Sequence, residues 1–148
     1  MINNLILITK VSDTDNYLEI LANISSILHQ SDKLIVVVEN KLSEDSSDET
    51  KFMANLKYTI RRGRLEHLYV YSLRHLYSSK SAVREFLILC RRSGVVVHSY
   101  LEEWLPAVMS LPESVFATQI TKRLLGIDYL EGVLPRNART KTGFTVGK

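Results

Sequence analysis

Short, unbroken apolar runs alternating with amphipathic stripes constrain this chain more than any other feature. Residues 4–9 (NLILIT) carry too few polar interruptions for a strand with one wet face, so they read as a strand buried on both faces. After Lys10-Val11-Ser12-Asp13 the spacing changes. Tyr17, Ile20, Leu21, Ile24, Ile27 and Leu28 recur at steps of three and four, predicting a helix from Thr14 to about Gln30. Residues 34–38 (LIVVV) are a continuous, mostly β-branched run, again the pattern of a central strand.

The unit then repeats. Residues 39–50 (ENKLSEDSSDET) are polar and acidic and read as a mobile loop, with Ser46 and Glu49 at the spacing of a capping box. Phe52, Met53, Leu56 and Ile60 predict a short helix ending near residues 61–64, where Gly63 suits a C-terminal cap. Residues 67–73 (HLYVYSL) predict a third strand. Val83, Phe86, Leu87 and Cys90 then mark one stripe of a helix that Gly94 closes, and Val95-Val96-Val97 opens a fourth strand. Three helical crossovers between four apolar strands predict a three-layer α/β/α domain with a mainly parallel central sheet.

Beyond Pro106 the texture differs. Pro112 suits a first helical turn, and Phe116, Ile120, Leu124, Ile127, Leu130 and Leu134 keep three/four spacing until Pro135. This predicts a C-terminal helix of about 20 residues, roughly 30 Å long. Such a helix either packs on a second subunit or returns to its own sheet. The chain thus divides into an α/β domain (1–106), a long helix expected to dimerise (107–135) and a basic arm (136–148) with four Lys/Arg and no acid.

Charge narrows the partners. Residues 1–60 hold five Lys/Arg against nine Asp/Glu, and residues 61–148 hold fourteen against seven, so the two parts are −4 and +7. A basic half suits a polyanion, because neutralised phosphates release counterions; a solvated basic face is the plainer explanation. The one cysteine excludes an internal disulfide and cannot alone build a zinc site. His29, His67, His75 and His98 lack ligand spacing, so no metal or cofactor is expected. No apolar run approaches the roughly 20 residues that cross a bilayer, which points away from a membrane and to the cytoplasm.

Residues 65–105 resemble the middle of the catalytic domain of serine site-specific recombinases, the resolvase/invertase family. That family shows a strand, a motif Asp-Arg-Leu-x-Arg-Ser, and a helix ending in Gly-Val before a short strand; here the strand, Leu76 and Gly94-Val95 are in place. Three further segments follow in family order. Lys10-Val11-Ser12 resembles Arg-Val-Ser, Phe52-Met53-Ala54-Asn55-Leu56 resembles the helix before the second motif, and Arg139-Thr140-Lys141-x-Gly143 resembles Arg-Thr-x-x-Gly. The resemblance implies a resolvase-like fold, a homodimer or tetramer held by the 113–134 helix, and DNA contact by Arg136, Arg139, Lys141 and Lys148 along the minor groove.

In active members a serine hydroxyl attacks a DNA phosphodiester, and arginines hold the charge that builds on phosphorus. The resemblance places Ser12 as nucleophile, but Lys10 stands where the family has arginine, keeping charge and losing the planar fork. The second motif reads Arg74-His75-Leu76-Tyr77-Ser78, so its acid is basic and both arginines are gone; the arginine expected ahead of Phe52 falls near Glu49. At about 3 kcal/mol for each lost donor, three losses remove several orders of magnitude in rate. The expectation is a DNA-associated protein with a degenerate site, in which Lys10 keeps a charge beside Ser12 and Arg74 and His75 partly compensate from adjacent positions. Two alternatives stay open: an active recombinase cleaving through Ser12, or a non-DNA module that assembles through a sheet edge or the long helix. Ser12 itself also reads as a loop serine capping a helix that starts at Asp13 or Thr14.

The remaining candidates have plainer explanations beside the functional ones. Cys90 lies on an apolar stripe and suits core packing. Tyr69, Tyr71 and Tyr77 could stack on bases, although Tyr69 and Tyr71 share strand parity and suit a sheet face. Trp104, in LEEWLP, suits a loop anchor.

Overall fold

The apolar runs become parallel strands and the stripes become the helices that join them. In the computed structural model the described residues are 4–10, 16–28, 33–40 and 50–126. Ser12, Ser46, Glu49, Arg136, Arg139, Lys141 and Lys148 lie outside them. The order is β1 (Asn4–Lys10), α1 (Tyr17–Ser25), β2 (Leu34–Asn40), α2 (Lys51–Arg61), β3 (His67–Val70), a 3-10 turn (Leu73–His75), α3 (Lys80–Arg92), β4 (Val96–Ser99), α4 (Leu105–Met109) and α5 (Glu113–Leu125).

All pairings are parallel, in the order β2-β1-β3-β4. β1 is central and runs beside β2 from Asn4↔Leu34 to Lys10↔Asn40, and beside β3 from Asn4↔His67 to Leu7↔Val70. Alternation divides β1 between two cores. Ile6 and Ile8 face α1, where they pack with Ile20, Ile24 and Tyr69. Leu5 and Leu7 face the other way, into a larger core with Leu68, Val70 and Val97 from the sheet. Over that face lie Met53, Leu56 and Ile60 of α2, Val83, Phe86, Leu87 and Cys90 of α3, and Phe116, Ile120 and Leu124 of α5. The expected α/β/α architecture is therefore present, with one helix on one face and the rest on the other. At about 1.5–3 kcal/mol for each fully buried aliphatic or aromatic side chain, the larger core supplies most of the apolar stabilisation.

Helix ends follow local chemistry. Asn16 caps α1, its Oδ1 accepting from the N–H groups of Leu18 (3.0 Å) and Glu19 (3.2 Å). Thr50 caps α2 by accepting from Met53 N–H at 3.1 Å, and Ser79 caps α3 through Ala82 N–H at 3.3 Å. Gly63 and Gly94 sit at φ +68° and +79°, the left-handed region, just past the ends of α2 and α3 as anticipated.

Several bounds differ from expectation. α1 ends at Ser25, and Ile27 and Leu28 follow in a turn whose N–H groups bond back to Ile24 and Ser25. β3 stops at Val70, not Leu73, because residues 72–75 turn out of the sheet. α4 interrupts the stretch after Trp104. α5 is described over Glu113–Leu125 with a turn at Gly126; residues 127–134 of the expected long helix lie outside the described residues. No helix among the described residues is long and apolar enough to cross a membrane.

Candidate functional site

The chain leaves β1 toward β2 on one side and returns to β3 on the other, so the β1/β3 boundary is where strand order reverses. In open parallel sheets, ligands settle at such a switch point, outside the carboxyl ends of the strands. Helix N-termini also gather at this end of the sheet, adding a positive field. Here β1 ends at Lys10 and leads toward Ser12, while β3 ends at Val70 and leads to Arg74 and His75.

The exit from β3 is held by a buried carboxylate. Glu102, in the loop after β4, is buried, and its Oε1 accepts from Leu73 N–H at 2.8 Å and from the Ser99 hydroxyl at 2.7 Å. Ser72 donates to Oε2 at 3.3 Å and also caps the 3-10 turn by accepting from Arg74 N–H at 3.4 Å. A carboxylate taken out of water costs several kcal/mol unless its lone pairs are satisfied, and these donors satisfy them. The result ties the turn after β3 to the loop after β4. The two loops also share backbone bonds, from Tyr100 N–H to Val70 O and from Leu101 N–H to Tyr71 O, both at 3.0 Å.

Arg74 and His75 therefore sit on a fixed turn, but with different freedoms. His75 is buried and its ring stacks on Tyr71 with centroids 5.6 Å apart; Tyr71 stacks in turn on Tyr100 at 5.7 Å. This ring belongs to the wall of the loop. Arg74 is half-buried, and its guanidinium makes no ion pair or hydrogen bond with the described residues. Arg74 is thus the available cation beside the β1/β3 boundary. Lys10 ends the neighbouring strand. Ser12, the third member, is outside the described residues, but the alternative role of capping α1 is filled by Asn16.

Many cations of the basic half hold the fold together. Arg91 donates twice to Leu111 O, from Nε at 3.2 Å and from Nη2 at 2.6 Å, and lies over the Phe116 ring. Arg92 pairs with Glu113 at 3.5 Å, Arg84 donates to the Thr121 hydroxyl at 2.9 Å, and Arg123 covers Trp104. These contacts close α5 on α3 and leave a groove of about 630 Å³ between them, on the face opposite α1. The stripe Phe116, Ile120 and Leu124 is buried within its own chain, so α5 offers a partner mainly Leu125, which is 72% exposed. Arg61, Arg64 and Lys122 are exposed without ion pairs among the described residues.

Three sequence candidates resolve as structural. Tyr69 and Tyr77 are fully enclosed, and Cys90 is buried, with its thiol pushed well above the usual range by desolvation. Sequence reasoning missed Glu102, although Ser99-Tyr100-Leu101-Glu102 has the S-x-x-E spacing that signals reciprocal side-chain and backbone bonding. It also missed the pair His67 and His98, whose Nδ1 and Nε2 lie 3.0 Å apart across β3 and β4, with His98 stacked on Tyr69. Among the described residues no three His, Cys, Asp or Glu side chains group as a metal site. No protein-family model, curated protein or solved structure matches the chain.

Proposed function

We propose that this chain is a serine-recombinase-like, DNA-associated protein whose active site is degenerate and whose assembly and DNA-contact scaffold is retained. The observation that carries the reading is the adjacency of β1 and β3: the strand ending at Lys10 and leading to Ser12 lies beside the strand leading to Arg74 and His75. Those are the segments that the resemblance assigns to the nucleophile and to the second motif. Degeneracy is supported by the packing of His75 against Tyr71, which leaves Arg74 as the cation on that turn free to meet a phosphate. One charge-assisted donor binds an anion; it falls short of the several that a phosphoryl transition state requires. Arg136, Arg139, Lys141 and Lys148 would extend contact along the DNA, and self-assembly would use Leu125 at the end of α5.

A gel shift across a salt series tests DNA association. Binding that weakens steeply as salt rises supports the reading, and no shift at low salt overturns it. The active alternative, cleavage through Ser12, has its own test. Incubation with a nicked substrate separates the two: a covalent adduct that disappears in Ser12→Ala establishes catalysis, and the degenerate reading expects none.

A further inference from the structure

The sheet ends on two unlike edges. β4 is four residues long, and Val97, His98 and Ser99 are buried. β2 is seven residues long, pairs among the described residues with β1 alone, and exposes Ile35, Val36 and Val38 by 40%, 39% and 43%. Alternation sends Val36 and Val38 to the α1 face and Ile35 to the opposite one, so β2 is open on both sides. Parallel strands are ordinarily covered on both faces, and soluble proteins blunt a free edge with charge, proline, a bulge or short length. Residues 34–38 carry none of these devices.

We infer that β2 is an interface for a second copy of this chain, the two β2 strands pairing antiparallel across a twofold axis at Val36 and joining two four-stranded sheets into one. The strand is complementary to its own reversal in that register. Val36 meets Val36 of the second copy, Ile35 meets Val37, Leu34 meets Val38, and Lys33 meets Glu39 at either end. Moving the axis to Val37 sets Ile35 against Glu39, and moving it to Ile35 sets Lys33 against Val37, so neighbouring registers oppose charge to apolar groups. The two end charges differ in access: Lys33 is open, whereas the Glu39 carboxylate is partly enclosed and must turn outward to meet it. Lys33 is exposed and makes no ion pair with the described residues. Glu39 takes the Thr50 hydroxyl on Oε2, while its Oε1 is buried without a hydrogen bond. Isologous pairing of one edge needs no second sequence and is the commonest symmetry of soluble dimers. The inference is independent of DNA binding. An interface at β2 is also separate from one at Leu125.

Cross-linking and native mass test the inference on the full chain. Cys90 is buried with a raised thiol pKa, so it stays silent and Val36→Cys carries the reactive thiol. Mild oxidation should couple Val36→Cys into a disulfide dimer about tenfold faster than Leu18→Cys, a control on α1 that at 71% exposed is more accessible than Val36. Val36→Lys places like charges opposite each other at the axis and should weaken dimerisation about tenfold or more with an unchanged thermal melt, while Leu125→Lys leaves the β2 cross-link intact. A monomer at high protein concentration overturns the inference, as does an assembly whose native mass is unchanged by Val36→Lys or whose Val36→Cys cross-link is abolished by Leu125→Lys. A monomer in which Val36→Cys resists thiol reagents assigns the edge to another segment of the same chain and also overturns it.

Discussion

Replacing Glu102 by alanine should destabilise the domain more than any other single polar substitution among the described residues. Three donors converge on this carboxylate, and their fates differ once it is gone. The Ser99 hydroxyl has a second acceptor, Tyr71 O at 3.3 Å, and can turn to it. Leu73 N–H has no second acceptor among the described residues, because residue 73 is completely buried and its N–H is directed at Oε1. A buried donor left unsatisfied costs about 1–3 kcal/mol, and the Ser72 hydroxyl adds a smaller penalty. Glu102→Ala should therefore cost about 3 kcal/mol, or about 12 °C in Tm for a domain of this size. Glu102→Gln keeps an acceptor oxygen and should cost about 1 kcal/mol. Urea melts followed by circular dichroism measure both. A Glu102→Ala protein within about 0.5 kcal/mol of wild type would refute the assignment of Glu102 as the tie between the two loops.

Other consequences are equally open to measurement. Because folding raises the Cys90 pKa, the folded state holds its proton where the unfolded thiol loses it; stability should fall as pH rises past about 8.5, by roughly 2 kcal/mol at pH 10 relative to Cys90→Ala in paired melts. Gly94→Ala should cost about 1 kcal/mol through its φ of +79° alone, since nothing lies within 4 Å of an added Cβ. Phe116→Ala removes the ring that α5 buries and should cost about 3–5 kcal/mol by the same melts, with faster hydrogen exchange in α5 than in α3.

The fold was legible to the extent that it depends on local periodicity. Unbroken runs such as LILIT and LIVVV marked strands, and Gly63 and Gly94 marked helix ends, because each pattern states its own burial or backbone need. Boundaries that depend on distant partners were not legible. β3 ends early because residues 72–75 turn away to meet Glu102, some 29 residues on in sequence at Leu73. Periodicity likewise announces that Phe116, Ile120 and Leu124 share a buried face without saying against what; the answer, α3 of the same chain, appears only in three dimensions. At the candidate site, adjacent positions Arg74 and His75 looked interchangeable as cations. Their separation into a free guanidinium and a packed ring follows from Tyr71, which spacing alone could not connect to residue 75.

The most direct test of the proposed function is DNA affinity against salt concentration, measured by fluorescence anisotropy on a short labelled duplex, for wild type and for Arg136→Ala/Arg139→Ala/Lys141→Ala/Lys148→Ala. A straight log–log line is expected, with the slope reduced by about 0.9 for each phosphate contact removed, so by about 3–4 in the fourfold variant. Binding that is absent at low salt, or a slope identical in both proteins, would contradict a DNA-contact scaffold built on that arm.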